Sequence, residues 1–317
     1  MIVIILLILA ILIVSGIIAY FRAPSLNIDI IDNLKPISQD DRILVFAPHS
    51  DDEVLGTAGL VLNALRTGAK VKIVLITNGD NNLLSTDLEF RTLYPTAREF
   101  IRAGEARQQE TIKALKYIGV DEKDIIFLGY PDRGIKSLYK KNWSISNPYR
   151  SSATKEIKAS YKIIYEPDVM FCGENLLKNI NAIMESFSPT IVIGPHLKDH
   201  HPDHRYGILF ILKAINDLYG PGQNENKPVL LTYLIHYPFF PRPKGLRPDK
   251  HVLVPFTATF DMKWFKYLMT EDEENGKQKA IGFYTTQLKV PEMGKLMRSF
   301  IRKNELFEEI DDFEPPE

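Results

Sequence analysis

A chain of 317 residues that is 45% apolar and 25% charged can bury at least one sizeable core, and its 18 Gly and 20 Pro exclude a fibrous or disordered class. Lys plus Arg number 39 against 40 Asp plus Glu, a net charge of −1, which argues against a protein whose main task is gripping phosphate backbones and so against a nucleic-acid partner. The single cysteine, Cys172, excludes an internal disulfide and a cysteine-based zinc or iron–sulfur centre.

In chain order, residues 2–21 carry no charge and are interrupted only by Ser15 and Gly16. That length matches the hydrocarbon thickness of a bilayer, and no basic residue precedes the run as a cleaved signal would require. The stretch predicts a single-pass membrane anchor over 1–21; Arg22 and Lys35 beyond it do not fix which side the body faces. Residues 22–40, polar with prolines, read as a linker. Alternation of strands and helices follows. Residues 42–47 and 71–77 are buried-strand runs, 54–66 is a helix stopped by Gly68, 104–118 is an amphipathic helix, 124–128 and 190–193 are further strands, and 176–186 is a helix before the last of these. Residues 229–236 and 251–255 read as edge strands, followed by a helical region and an acidic tail over 308–317. The long segments 81–103 and 133–172 read as insertions, either binding loops or surface decoration.

Such alternation predicts a Rossmann-like α/β fold, a mostly parallel sheet covered by helices on both faces. Ligands bind such sheets at the carboxyl ends of the strands, so the chemistry is sought after Ala47, Thr77, Leu128 and Ile193. After the first strand stands His49-Ser50-Asp51-Asp52-Glu53. Ser50 and Glu53 have the spacing of a helix capping box, but a cap leaves His49, Asp51 and Asp52 unexplained. Adjacent carboxylates beside an imidazole repel one another unless a cation or proton sits among them. After the later strand, residues 196–204 hold four histidines and two aspartates. Histidine and aspartate from one loop with histidine from another make an open, three-ligand metal site of the catalytic kind.

The pair His49-Ser50-Asp51-Asp52-Glu53 and His201-Pro202-Asp203-His204 resembles the signature of the PIG-L/LmbE-like zinc-dependent N-deacetylases, with Ser50 where proline is usual. Thr77-Asn78-Gly79-Asp80, Arg107 with Glu110, the run from Leu128 to Asp132, and Lys279 with Gln287 fall in similar places. The resemblance implies an LmbE-like catalytic domain over 41–307 and an enzyme that hydrolyses the acetamide of an N-acetylglucosamine-type sugar in a glycan, glycolipid or glycoside. It implies that His49, Asp52 and His204 bind Zn²⁺ or another divalent metal. Asp51 would be the general base, His201 the group serving the oxyanion or leaving amine, and Asp203 the residue orienting His201. Arg107 and Asp132 would contact sugar hydroxyls; a helix-surface salt bridge and a turn are their alternatives. His196, Asp199 and His200 are read as supporting or loop residues, and His236 and His251 as structural. Two other readings stay open: an amidase of a sugar–thiol conjugate or other non-acetyl amide, and a metal-binding carbohydrate module without catalysis. Retention of Asp51 and His201 disfavours the latter, since binding alone needs neither.

Overall fold

Alternation along the strands decides the architecture. In Arg42–Ala47, the side chains of Ile43, Val45 and Ala47 enter one core while Leu44 and Phe46 enter another. A strand buried on both faces needs helices on both sides. The computed structural model describes residues 28–220, 226–255 and 263–311, together with Ile5, Leu6, Ile8, Ile11 and Ser15. In chain order the elements are β1 (Asp32–Asn33), β2 (Arg42–Ala47), α1 (Asp52–Thr67), β3 (Lys70–Thr77), α2 (Leu83–Phe90), α3 (Ala97–Tyr117), β4 (Ile125–Tyr130), α4 (Ile135–Lys140), α5 (Gly173–Phe187), β5 (Ile191–Pro195), α6 (Pro202–Tyr219), β6 (Val229–Tyr233), β7 (Lys263–Leu268), α7 (Glu271–Ile281), α8 (Thr285–Leu288), α9 (Pro291–Arg298) and β8 (Asn304–Ile310).

The strands form one sheet in the order β1-β7-β8-β6-β5-β2-β3-β4. Every pairing is parallel except those of β8, which runs against both β6 and β7. One core packs α1, α3 and α7 against the face that carries Ile43, Ile73, Phe127 and Leu231. The other packs α4, α5 and α6 against Leu44, Val74, Leu128 and Val192. The expected two-sided α/β architecture is thus present. Gly68, with φ of 91°, ends α1 where a side chain would be strained.

Five sequence expectations change. The anchor and the membrane localisation read over 1–21 fall almost wholly outside the described residues, and among the described residues no helix is long and apolar enough to cross a membrane. A span needs about 20 apolar residues. The two described helices of that size are otherwise built: α3 carries charges from Arg98 to Lys116, and α6 buries one face from Gly207 to Ile215 in the core. The single-pass anchor is therefore not supported.

Residues 251–255 form no strand; the N–H and C=O of Val252 bond to the Asn304 side chain, which stands in for a ladder. β6 is not an edge, since β8 lies against it over Leu230–Thr232. β8 itself crosses the boundary drawn at 308 from acidic composition: Glu305 and Glu308 are buried in it. Finally, α3 starts two turns before 104. Thr96 and Glu99 form a reciprocal capping box there, a local signal that outweighs the weak apolar spacing of the first turn.

The two long insertions divide. Within 133–172, Trp143 stacks on Phe210 (5.8 Å, 2°) and Tyr139 meets the same ring edge-on, so these aromatics pack on α6. The polar residues Asn81, Asn82 and Arg133 are what the two segments bring to the cleft at the strand ends.

Candidate metal and active site

The carboxyl ends of β2, β3, β4, β5 and β6 surround a cleft of about 220 Å³. His49, Asp51, Asp52, Arg107, Asp132, His201 and His236 line it, together with Asn81, Asn82 and Gln287 and an apolar wall of Leu55, Met293, Leu296 and Met297.

The turn after β2 is tight. Asp51 has φ of 122°, a region a side chain rarely adopts, and its N–H donates to Glu53 Oε2 (2.9 Å). The capping box at Ser50 is not what opens α1: Asp51 holds the N-cap position, and the buried Ser50 hydroxyl has no partner among the described residues. Glu53 instead also accepts from the Tyr284 hydroxyl. Arg107 secures the turn from α3, donating to the carbonyl oxygens of Ser50 and Gly79 (2.7 Å to the latter) and lying 3.3 Å from Asp51 Oδ2. A side chain at Gly79, itself at φ 63°, would collide with that guanidinium. The surface salt bridge considered for Arg107 is excluded by its burial at 4% exposure.

Three donor atoms from two strand–helix junctions converge, His49 and Asp52 after β2 and His204 after β5. His49 Nδ1 lies 3.1 Å from Asp52 Oδ2, His204 Nε2 lies 2.9 Å from the same oxygen, and the two ring nitrogens are 3.3 Å apart. Donors placed ~2.0–2.1 Å from a tetrahedral ion stand about 3.3 Å from one another, so the spacing and the N/N/O chemistry fit a divalent metal. Each imidazole has carboxylates behind it. His49 Nε2 is 3.4 Å from both Asp132 Oδ1 and Asp203 Oδ2, and His204 Nδ1 is 3.1 Å from Asp199 Oδ2. A carboxylate thus stands behind the outer nitrogen of each ring, while the inner nitrogens face one another and Asp52.

Burial without enough cations governs the titration. Burial, with Asp52 and Glu53 adding to it against Arg107, pushes Asp51 up to about 8. Burial likewise raises Glu53 and Asp80 to about 7. At Asp52 burial acts in the same direction, but His204 and His49 prevail and hold it well below the usual range. Burial opposes charge on His204 too, yet Asp199 and Asp52 raise it to about 9. His201 is pushed down to about 2 by burial and by the neighbouring imidazoles, so it is neutral at pH 7.

The remaining sequence candidates find separate places. His201 Nδ1 accepts the N–H of Asp203 (3.3 Å), while the Asp203 carboxylate accepts from the N–H groups of Arg133 (2.6 Å) and Ile135 (3.2 Å) and faces His49. The backbone of Asp203, and not its side chain, therefore orients His201. Asp132 accepts the Asn81 N–H (2.9 Å) and is held below the usual carboxylate range, burial being outweighed by His49. Asp199 is fully buried and accepts from the N–H groups of His201, Ile235 and His236, tying the β5 and β6 loops together. His196 is buried against Glu308 and stacks on Trp264 (5.2 Å, 6°), and His200 packs on Tyr237, both apart from the converging donors. His236, read as structural from the sequence, stands with His49, Asp52 and His204 in one group of donors within 4.8 Å of one another. Its signal was positional: it follows β6 by three residues, at the carboxyl end of a parallel strand, and reading 229–236 as one edge strand hid that end.

The sequence model of the family described as "PIG-L: GlcNAc-PI de-N-acetylase" matches residues 44–215, which takes in most of β2 through α6 and both junctions that carry the converging donors. Among solved structures, a deacetylase from the teicoplanin biosynthesis pathway superposes with a TM-score of 0.55 at 17% identity, covering 86% of this chain and 100% of its own. The zinc-inhibited form of teicoplanin deacetylase gives 0.52 at 17% identity, covering 86% and 100%. N,N′-diacetylchitobiose deacetylase from Pyrococcus horikoshii gives 0.49 at 16% identity, covering 86% and 85%. At such identities the two teicoplanin deacetylase superpositions establish the fold alone, while the family match covers more than half the sequence. The chain belongs to the PIG-L family and is a hydrolase of amide bonds.

Proposed function

We propose that the chain is a metal-dependent N-deacetylase that hydrolyses the acetamide of an N-acetylglucosamine-type sugar in a glycan, glycolipid or glycoside. One observation carries this reading: the metal-donor atoms of His49, Asp52 and His204 converge beside the strained, buried Asp51 on the wall of a polar cleft. His49, Asp52 and His204 hold the metal, Zn²⁺ being suited to two imidazoles and a carboxylate. A metal bound there polarises the amide carbonyl and acidifies the attacking water.

The protein's own groups do the rest. Asp51 takes the proton from the water; the fixed turn aims its carboxylate, and a cation beside it offsets the burial that otherwise keeps it protonated. His201, whose Nδ1 is occupied by the Asp203 N–H, is the Nε2–H tautomer, a neutral donor suited to the developing oxyanion and then to the leaving amine. Asp203 sets the 133–135 turn and backs His49. Asp132 and Arg107 line the cleft and serve the sugar, Arg107 also holding the Asp51 turn.

The test is acetate release from N-acetylglucosamine-containing substrates by the purified chain, with and without chelator. Activity abolished by chelator and restored by Zn²⁺ is expected, with Asp51→Asn lowering kcat by roughly 10²–10⁴-fold at unchanged metal content. Release of a different acid would transfer the chain to the amidase reading. Metal and sugar binding without any acid released would transfer it to the binding-module reading.

A further inference from the structure

We propose that His236 is a protein ligand of the same metal, so that the donor set is three imidazoles and one carboxylate: His49, Asp52, His204 and His236. This rests on the reading of the metal centre given above and extends it to a residue that lies outside residues 44–215, where the family match ends.

Adjacency in the sheet brings His236 there. β2, β5 and β6 are consecutive parallel neighbours, so their carboxyl ends open side by side, and the three following turns deliver His49, His204 and His236 to one point. The backbone at His236 is fixed on both sides. Its N–H donates to Asp199 Oδ2 (2.9 Å) and its carbonyl accepts the His200 N–H (2.7 Å). Asp199 Oδ2 is also the atom 3.1 Å behind His204 Nδ1, so one carboxylate sets the position of two imidazoles.

The ring of His236 stands edge-on to that of His204, with centroids 4.7 Å apart and planes at 79°, and is 5.2 Å from that of His201. Its nitrogens take no hydrogen bond from the described residues, and the side chain borders the cleft. A buried histidine kept for packing alone normally has a ring nitrogen bonded to protein or ordered water. Here a donor atom lies within 4.8 Å of three others that already meet. His236 is partly exposed to the cleft, whereas His49, Asp52 and His204 are buried, so it is the donor that borders the space a substrate enters. Water or substrate would reach the metal as a fifth ligand, an expansion zinc accepts. A third imidazole shifts preference from Mg²⁺ or Mn²⁺ toward Zn²⁺ and slows metal loss.

X-ray absorption on the zinc-loaded, full-length wild type counts the ligands directly. Three imidazoles per zinc are expected; two overturn the proposal. Competition with a chromogenic chelator then compares wild type with His236→Ala and His236→Gln. Zn²⁺ affinity is expected to fall by roughly 10- to 100-fold in both, with a changed visible spectrum of the Co²⁺ forms and partial return on adding imidazole to His236→Ala. Equal affinities and identical Co²⁺ spectra overturn the assignment of His236 while leaving the three-ligand centre standing. A wild type that binds no zinc overturns both.

Discussion

Two buried charge clusters lie on this sheet, and they are built on opposite principles. Beneath α7, Lys277 and Glu305 are both almost fully buried and meet at 2.7 Å; Glu305 also takes the N–H groups of Gly59 and Leu60, and nearby Glu273 takes Arg66, Tyr267 and the Thr270 N–H. Each of these charges has a partner of opposite sign or a donor aimed at it. At the strand ends, Asp51, Asp52, Glu53, Asp80, Asp132, Asp199 and Asp203 are all buried around Arg107 and a group of histidines. There burial pushes Asp51, Glu53 and Asp80 far above the usual carboxylate range. Equal burial with balanced charge makes a strut; equal burial with an excess of carboxylates makes a place for a cation.

The contrast can be broken at either cluster. The largest effect is expected at the unbalanced one: His204→Ala should empty the centre and lower acetate release by roughly three orders of magnitude or more, the loss of several kcal/mol of electrophilic assistance. Metal analysis of the folded variant checks this, and stoichiometric metal would refute it. At the balanced cluster, Lys277→Met leaves Glu305 buried without its cation and should cost about 3–5 kcal/mol in urea unfolding, with metal content unchanged. A loss below about 1 kcal/mol would mean that Lys277 and Glu305 are not a strut.

The smallest effect is a pH dependence. Asp80 has a folded-state pKa of about 7, above its ordinary 3.8, because burial disfavours the charge. The native state therefore keeps a proton that the unfolded chain gives up; the stability this provides is complete below about pH 4 and is lost as pH rises through 7. Metal-free Asp80→Asn, with no proton to lose, should lose about 1–3 kcal/mol less than wild type between pH 4.5 and 8. Parallel stability curves would show that Asp80 titrates normally.

Much of this was legible in the sequence because strand ends announce themselves. Apolar runs closed by Pro48, Asn78 or Pro195 marked where side chains leave the core, and the His49 and His204 turns lie there. What escaped had non-local causes. Glu305 and Glu308 look like solvated charges, yet their partners are Lys277 and His196, far away along the chain. Likewise His236 stands alone in sequence and acquires company only once β6 is placed beside β5. Asp203, two residues beyond His201 in sequence, meets it through a bond from its backbone N–H to the His201 ring.

The reversed strand β8 has a consequence for how the molecule is made. It is the last of the described elements, yet it alone joins β7 and β1 to β6 and the rest of the sheet. During synthesis from the amino end, β6 must wait with an open edge until residues 304–310 leave the ribosome. Exposed strand edges invite pairing with other chains. The glutamates spaced along β8 then bear on aggregation as well as on the finished fold. Truncation before Asn304 would leave that edge open permanently.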